Sequence, residues 1–354
     1  MKRFAGMMVV LCLFLCGCSL MSGEHLSVTP HESPVSGNQT ANLSVSDYAE
    51  LKAVLESMVR AGTESTVINV SRYNPKLLDN GVKTAVTHLK ENDPLGSWAV
   101  EDVEYEIGTG GGQRVISVNI SYIHGRSQIR QVRNVSDMKE LEIQMEEILE
   151  ECADSAVFLV ESYDRKDLVQ MVEDYADAHP DVVMEIPAVA VGVYPNDRSG
   201  TRVLEVEFTY QTSRESLRKM QNQVRRVFSS AELYINSDST QLQKFSQLYT
   251  FLMERYDYTI GTSITPAYSL LVHGVGDSEA FASVYSAMCR RAGLECQVIS
   301  GTKNGEAWYW NLIRVDDQWF HVDLLKSSEQ GTFTCYVDEQ MQGYVWDYSA
   351  YGEN

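Results

Sequence analysis

Apolar residues recur at every third or fourth position in two stretches that begin about 90 residues apart. The apolar positions are Tyr48, Leu51, Leu55, Met58 and Val59 in the first stretch and Met138, Leu141, Met145, Ile148 and Leu149 in the second. This spacing predicts an amphipathic helix in each stretch. A Ser-Asp pair precedes each helix, at residues 46–47 and 136–137, and both residue types are favoured N-caps.

A strand, a second helix and two further strands are predicted to follow each of these helices. Runs rich in β-branched and aromatic residues mark the first strand at 67–70 and 157–160, and the last strand at 115–122 and 203–210. The pattern therefore predicts two repeated α-β-α-β-β modules, residues 46–125 and 136–212. Neither module contains a nucleotide-binding loop or a metal-ligand cluster, so we interpret both as spacers or binding surfaces.

The helical pattern starts a third time and then departs from the module. Its apolar positions are Leu217, Met220, Val224, Val227 and Phe228. We predict a short strand at 233–235, a helix at about 240–254 and, after a Gly turn, a helix that starts near Ser278. A further strand and two aromatic strands joined by a turn at Asp316-Asp317 complete the prediction.

Four motifs in this last third of the chain occur in a fixed order. They are HGVGDSEAFA at 273–282, AGL at 292–294, WYWN at 308–311 and WFHVD at 319–323. In this order they resemble the transglutaminase-like superfamily, which also includes papain-like peptidases, over about residues 240–350. The resemblance implies a papain-like α+β domain, and we assign residues 213–354 to this domain with its lead-in helices.

The resemblance also implies positions for a catalytic triad, of which two are substituted. The family has a Cys nucleophile at the helix start, a His base on the next strand and an Asp that orients the His. The matching positions here are Ser278, Trp308 and Asp323. A serine hydroxyl needs an adjacent general base, and an indole accepts no proton. We therefore expect a non-catalytic domain in which Ser278 is an N-cap, Trp308 fills the cleft and Asp323 accepts hydrogen bonds.

Two alternatives stay open at this stage. An acyl-transfer enzyme or peptidase could use Ser278 with a displaced base, for which His273, in the turn before the helix, is the candidate. His321 shares a strand face with Asp323, and we interpret it as scaffold. A groove lined by Trp308, Trp310, His273 and His321 could instead bind a peptide, a protein or a cell-wall glycan. If that groove is filled, the protein is purely structural.

The N-terminus predicts an extracytoplasmic location. Lys2 and Arg3 precede an apolar run at 4–15 that is too short to span a bilayer. The run ends in LCGC at 15–18, which looks like a bacterial lipobox, so residues 1–18 are predicted to be a lipoprotein signal peptide with Cys18 lipidated. Lipidation would anchor the protein to the membrane. Residues 19–45, rich in Ser, Thr, Asn, Gly and Pro, are predicted to be a flexible tether.

Net charge and cysteine spacing disfavour several classes of binding partner. The 354-residue chain has a net charge of −20, which disfavours binding to nucleic acid or to anionic lipid. Four cysteines follow the signal peptide, Cys152, Cys289, Cys296 and Cys335, and none form a C-x-x-C pair. We expect them to be buried as small apolar residues, and the sequence indicates no metal or cofactor. The predicted function is a cell-surface lipoprotein with a binding or scaffolding role at the bacterial envelope.

Overall fold

The computed structural model describes residues 43–196, 198–259 and 266–351, and this part of the chain is a mixed α+β protein. Residues from Ser44 onward form one compact unit. The predicted signal peptide with Cys18, and most of the predicted tether, lie outside the described residues. Across the described ranges, no helix combines the length and apolar content needed to cross a bilayer.

The first three strands form an antiparallel sheet in the order β1-β3-β2, covered by helices. The elements are α1 (Tyr48–Ala61), β1 (Ser65–Asn69), α2 (Leu78–Glu91), α3 (Pro94–Ala99), β2 (Val100–Gly110) and β3 (Gln113–Tyr122). The predicted apolar face of α1 is buried except at Tyr48, which is exposed. Val45, at the end of the predicted tether, is also buried, and its N–H bonds to the Asn69 carbonyl, so the folded part begins before residue 46.

The next four strands form a second sheet in the order β4-β5-β7-β6, in which only β4 and β5 are parallel. The elements are α4 (Arg126–Ile129), β4 (Arg133–Asp137), α5 (Met138–Glu150), β5 (Ser155–Tyr163), α6 (Leu168–Ala178), β6 (Ala188–Tyr194) and β7 (Gly200–Thr209). Val203 of β7 also packs into the core of the first sheet, so apolar contacts join the two layers.

Helices α1 and α5 begin in the same way. Asp47 and Asp137 are the N-caps, each accepting a hydrogen bond from a backbone N–H in the first turn. Glu50 and Glu140 then bind the N–H and hydroxyl of the preceding serine. The second stretch has the predicted helix–strand–helix–strand–strand order, and the first has the same order with the short helix α3 inserted before its last two strands. Whether the two stretches are copies of one ancestral module stays a prediction.

The remaining strands form a four-stranded antiparallel sheet, in the order β12-β11-β10-β13, and a two-stranded β8-β9 pair. The helices are α7 (Arg214–Tyr234), α8 (Gln241–Met253), α9 (Pro266–Tyr268), α10 (Ser278–Arg291) and α11 (Leu324–Glu329). The strands are β8 (Asp257–Tyr258), β9 (Val275–Gly276), β10 (Cys296–Lys303), β11 (Glu306–Val315), β12 (Gln318–Val322) and β13 (Tyr344–Trp346). A π-helical turn (Ser269–His273) precedes β9, and short 3-10 helices lie at Asp338–Gln340 and Tyr348–Tyr351.

The predicted strand at 233–235 is wrong, because α7 continues as a helix to Tyr234. The buried positions of this helix keep a three-to-four-residue spacing as far as Ala231, and Leu233 is 88% exposed. A strand there would have no neighbour in a sheet. The predicted turn at Asp316-Asp317 is confirmed: both residues have positive φ, as the tight hairpin between β11 and β12 requires.

Helix α10 is the centre of the largest core. Its apolar residues pack against α7 and α8 on one side and against β10 to β12 on the other. All four described cysteines are free thiols, and Cys152, Cys289 and Cys296 are buried, as expected for small apolar residues. Cys335 is half-buried.

Candidate functional site

The start of α10 differs from the prediction in its cap. Asp277, in extended conformation, is the N-cap, and its carboxylate accepts a hydrogen bond from the Ala280 N–H at 3.0 Å. Ser278 is therefore the first helical residue, and its prediction as an N-cap is wrong. Its side chain is turned towards β11 instead, where Oγ accepts a hydrogen bond from the Tyr309 N–H at 3.3 Å.

Asp323 lies where β12 ends and α11 begins, and it is 1% exposed. Its Oδ1 caps α11 by accepting hydrogen bonds from the N–H groups of Leu325 and Lys326 at 3.1 and 3.0 Å. An aspartate at this position satisfies donors that the helix itself leaves free. The prediction that Asp323 is a hydrogen-bond acceptor at a strand end is confirmed.

The other oxygen of Asp323 meets three side chains. Trp308 Nε1 donates to Oδ2 at 3.0 Å, and the Tyr344 hydroxyl donates at 2.6 Å. Lys303 Nζ forms an ion pair with the same oxygen at 3.0 Å and lies 4.5 Å from the centroid of the Trp308 ring. Burial and the adjacent carboxylate raise the pKa of Tyr344. Every hydrogen-bonding direction of this carboxylate is thus used within the protein.

A second indole lies behind this network and has a different partner. Trp310 Nε1 donates to His321 Nδ1 at 2.9 Å, so His321 carries its proton on Nε2, which donates to Asp338 at 3.0 Å. Burial lowers the pKa of His321, against the opposing effect of Asp338. Trp310 and His321 are 1% and 2% exposed, so they belong to the core and do not line a groove.

His273 does not supply the missing base in this structure. It is exposed at the end of the π-helical turn, with its ring edge-on to Tyr268 at 5.3 Å between centroids. Within the described part of the chain, the Ser278 hydroxyl has the Tyr309 N–H as its hydrogen-bond partner and no imidazole. The surroundings are acidic: burial, Asp277 and Asp177 raise the pKa of Glu279.

The structure therefore brings the three predicted triad positions together. Ser278 bonds to the backbone of Tyr309, the residue after Trp308, and the Trp308 indole bonds to Asp323. Lys303 and Tyr344 were not predicted as site residues. The register decides their place, because Gly301 pairs with both Trp308 and Trp346, and Lys303 pairs with Tyr344. A Cβ on Gly301 would lie 2.7 Å from the Trp310 ring, so only glycine allows this close packing.

Comparison with known proteins assigns this region to a family. The family model of the transglutaminase-like superfamily matches residues 230–324. This stretch is a transglutaminase-like domain. The match begins near the end of α7, includes α10 and the strands β10 to β12, and ends directly after Asp323. No curated protein matches the sequence.

Several solved structures are also similar, at low identity. One described as a TGase has 9% identity and a TM-score of 0.27, covering 58% of this chain and 61% of its own. A candidate cysteine protease from Cytophaga hutchinsonii has 10% identity and a TM-score of 0.27, covering 45% and 70%. A candidate protease from Parabacteroides distasonis has 9% identity and a TM-score of 0.24, covering 73% and 39%.

Proposed function

We propose that this protein is a cell-surface lipoprotein whose transglutaminase-like domain is non-catalytic and serves in binding or scaffolding at the bacterial envelope. One observation carries the proposal: Trp308, at the position that the resemblance gives to the base, donates its indole N–H to the Asp323 carboxylate, while Ser278 bonds to the backbone of the next residue. In a working triad that position holds an imidazole, which takes the nucleophile's proton on one nitrogen and is oriented through the other. An indole has one nitrogen, and it only donates.

The contacts of Ser278 support the same conclusion. Its Oγ accepts from a backbone N–H, which stabilises the hydroxyl without removing its proton. A serine attacks a carbonyl only when an adjacent base accepts that proton. The half-buried carboxyl of Glu279, next in the chain, would oppose an oxyanion at this point.

Lys303 does not replace the missing base. It is ion-paired with Asp323, and its ammonium also lies over the Trp308 ring. Within the described part of the chain, Ser278 Oγ bonds to the Tyr309 N–H and not to this amine. Asp323 and its three partners, Trp308, Lys303 and Tyr344, therefore form a closed structural network at the place where related folds carry out chemistry.

Catalysis is tested with the wild type, Ser278→Ala and a matched control, Ser283→Ala, a little over one turn further along α10. Amine incorporation into a glutamine-containing protein and cleavage of casein are measured under reducing conditions. We expect all three proteins to give the same background. Turnover by the wild type and by Ser283→Ala that Ser278→Ala lacks would show an active enzyme and overturn the non-catalytic assignment.

Anchoring is tested separately in a bacterial host. The full chain, Cys18→Ala and Cys16→Ala are expressed with a metabolic fatty-acid label, and membrane and soluble fractions are compared. The proposal predicts that only Cys18→Ala loses the label and leaves the membrane fraction. Retention of the label in Cys18→Ala would contradict lipidation at that residue.

A binding role is separated from a purely structural one by ligand capture. The full-length protein is incubated with purified peptidoglycan and with envelope extract, and bound material is compared for the wild type and Trp308→Ala. Saturable binding that Trp308→Ala reduces supports a binding surface beside the indole. If neither protein binds any envelope component, the purely structural alternative replaces this proposal.

A further inference from the structure

A half-enclosed cavity lies between the two sheets that precede the transglutaminase-like domain. Its volume is about 420 Å³, and its wall includes Trp98, His124, Gln128, Arg133, Glu205 and Glu207. These residues come from α3, the β3–α4 connection, α4, β4 and β7, so the cavity exists only because the two layers pack together. We call it the inter-module cavity. The volume is within the range of small-molecule sites in proteins.

Trp98 gives the strongest sign that this cavity takes a ligand. The residue is 2% exposed, lies in the cavity wall and stacks on His124 with 4.2 Å between ring centroids. Its Nε1–H has no hydrogen-bond partner among the described residues. Most buried donors in native proteins are paired, and this unpaired one belongs to a side chain of the cavity wall. Its nitrogen has almost no accessible surface, so an acceptor from outside the chain reaches it only when the Trp98–His124 stack shifts.

The carboxylates of the cavity are also weakly partnered. Glu205 and Glu207 are two positions apart on β7 and therefore point to the same side of the sheet. Glu205 has only long contacts, to the Tyr194 hydroxyl at 3.4 Å and to His124 Nε2 at 3.9 Å. Glu207 has no ion-pair partner within the described part of the chain. The pair therefore favours a cationic group.

The one arginine of the wall does not compensate these two charges. Arg133 Nη1 donates to Gln144 Oε1 at 2.8 Å and lies 3.7 Å from Glu147. Its Nη1 is thus engaged by residues other than Glu205 and Glu207. Gln128 bonds to His124 and to the Gly125 N–H, and its side-chain amide still has a donor to offer.

We propose that the inter-module cavity binds a small protonated amine that also carries hydroxyl groups, such as an amino sugar. The ammonium binds Glu205 and Glu207, and hydroxyl groups bond to Gln128. A shift of the Trp98–His124 stack on binding lets a further hydroxyl oxygen accept the Trp98 N–H. This site goes beyond the proposed function above, and it is independent of whether the transglutaminase-like domain is catalytic. Both carboxylates and the unpaired indole N–H are used by a single ligand of this class.

Calorimetric titration of the full-length protein at low salt tests the proposal, with glucosamine as the probe. N-acetylglucosamine has the same ring but no charge, and the dipeptide Ala-Ala represents a zwitterion. We expect glucosamine to bind saturably and N-acetylglucosamine to bind at least about tenfold more weakly, since a charge-assisted contact is lost. Glu205→Gln and Glu207→Gln should each reduce the affinity by a similar factor, whereas Glu161→Gln, exposed on β5, should leave it unchanged.

Trp98→Phe supplies a second measurement that a general folding defect would not imitate. It removes the unpaired N–H, which offsets the packing lost with the smaller ring, so the ligand-free protein should melt at about the same temperature. Glucosamine should nevertheless stabilise this variant less than the wild type. The proposal is overturned if glucosamine does not bind saturably, if the two sugars bind equally, if Ala-Ala binds in preference, or if Glu205→Gln and Glu207→Gln keep full affinity.

Discussion

Two indoles of this protein, Trp308 and Trp98, have opposite hydrogen-bonding states. The Trp308 N–H is bound by the Asp323 carboxylate in a network whose other members come from the same domain. The Trp98 N–H is buried without a partner, beside a cavity with two weakly partnered carboxylates. The indole N–H in the transglutaminase-like domain is thus satisfied by internal contacts, while the indole N–H in the preceding layers has no partner among the described residues.

The difference shows why resemblance to a family and availability for binding are separate properties. A polar group that its own chain satisfies contributes to stability, and a ligand would have to displace an existing bond. A group that the chain leaves unsatisfied costs free energy until something binds to it. Substitutions at Trp308 and its partners should therefore affect stability more than substitutions at Trp98.

Removing the carboxylate of Asp323 should have the largest effect. Asp323→Ala leaves the buried end of Lys303 unpaired and four further donors without an acceptor, so we expect a loss of about 3–5 kcal/mol in the free energy of unfolding. Urea unfolding measures it. Glu142→Ala, which removes a 44% exposed partner of Lys166, is the control and should cost under about 1 kcal/mol. Similar losses for both variants would contradict the closed network.

The two indoles can be compared directly by the same substitution. Trp308→Phe removes a hydrogen bond to a charged group and should cost about 1.5–3 kcal/mol. Trp98→Phe removes a donor that makes no bond, which offsets the packing lost with the smaller ring, so its unfolding free energy should change little. Chemical denaturation of both variants checks the ranking. Equal destabilisation would mean that the two indole N–H groups do not differ in the folded protein.

The N-cap of α10 predicts a smaller change in the free energy of unfolding. Asp277→Ala removes the N-cap of α10 and should cost about 1 kcal/mol, a typical value for a lost cap. Ser278→Ala should cost less, because its hydroxyl accepts one long bond from Tyr309 and does not cap the helix. Thermal unfolding of the pair tests the assignment, which would be wrong if Ser278→Ala were the more damaging change.

His321 predicts the smallest effect, and it depends on pH. Burial lowers the pKa of His321 in the folded protein below the ordinary value of 6.5. At pH values between the folded-state pKa and 6.5, the unfolded chain therefore binds more protons than the folded protein does. The free energy of unfolding should therefore fall as the pH drops below about 6.5. The loss should be the smallest of this series, because the Asp338 carboxylate opposes the effect of burial.

Urea midpoints at pH 7.5 and pH 5.5 measure this loss for the wild type and for His321→Asn. The difference between the two pH values should be smaller in the variant. An unchanged difference would show that another group is responsible for the pH dependence.

Much of the fold could be predicted from residue patterns. The helical spacing of apolar residues located α1, α5, α7 and α10, because burial of one helix face is a local property of the chain. The Asp316-Asp317 turn and the aromatic strands were equally visible. The strand at 233–235 was wrong because a short apolar run has no periodicity of its own, and whether it pairs depends on a neighbouring strand.

The site was only partly predictable. The order of four motifs located Ser278, Trp308 and Asp323, and the residue types alone argued against catalysis. Lys303 and Tyr344 carry no local signal, since a lysine or a tyrosine on a strand usually faces solvent or the core. Their contacts with Asp323 follow from the register of β10 with β13, which sequence spacing does not determine.

The amino-acid sequence by itself determined which segments are helices, which strands are aromatic, and the order of the motifs that contain Ser278, Trp308 and Asp323. These are properties of residue type and of short-range periodicity. Only the tertiary structure decided that Asp323 is saturated by Trp308, Lys303 and Tyr344, and that Trp98 is left unpaired beside Glu205 and Glu207. The physical reason is that hydrogen-bond satisfaction depends on groups far apart in the chain, whose distances are decided by packing and strand register.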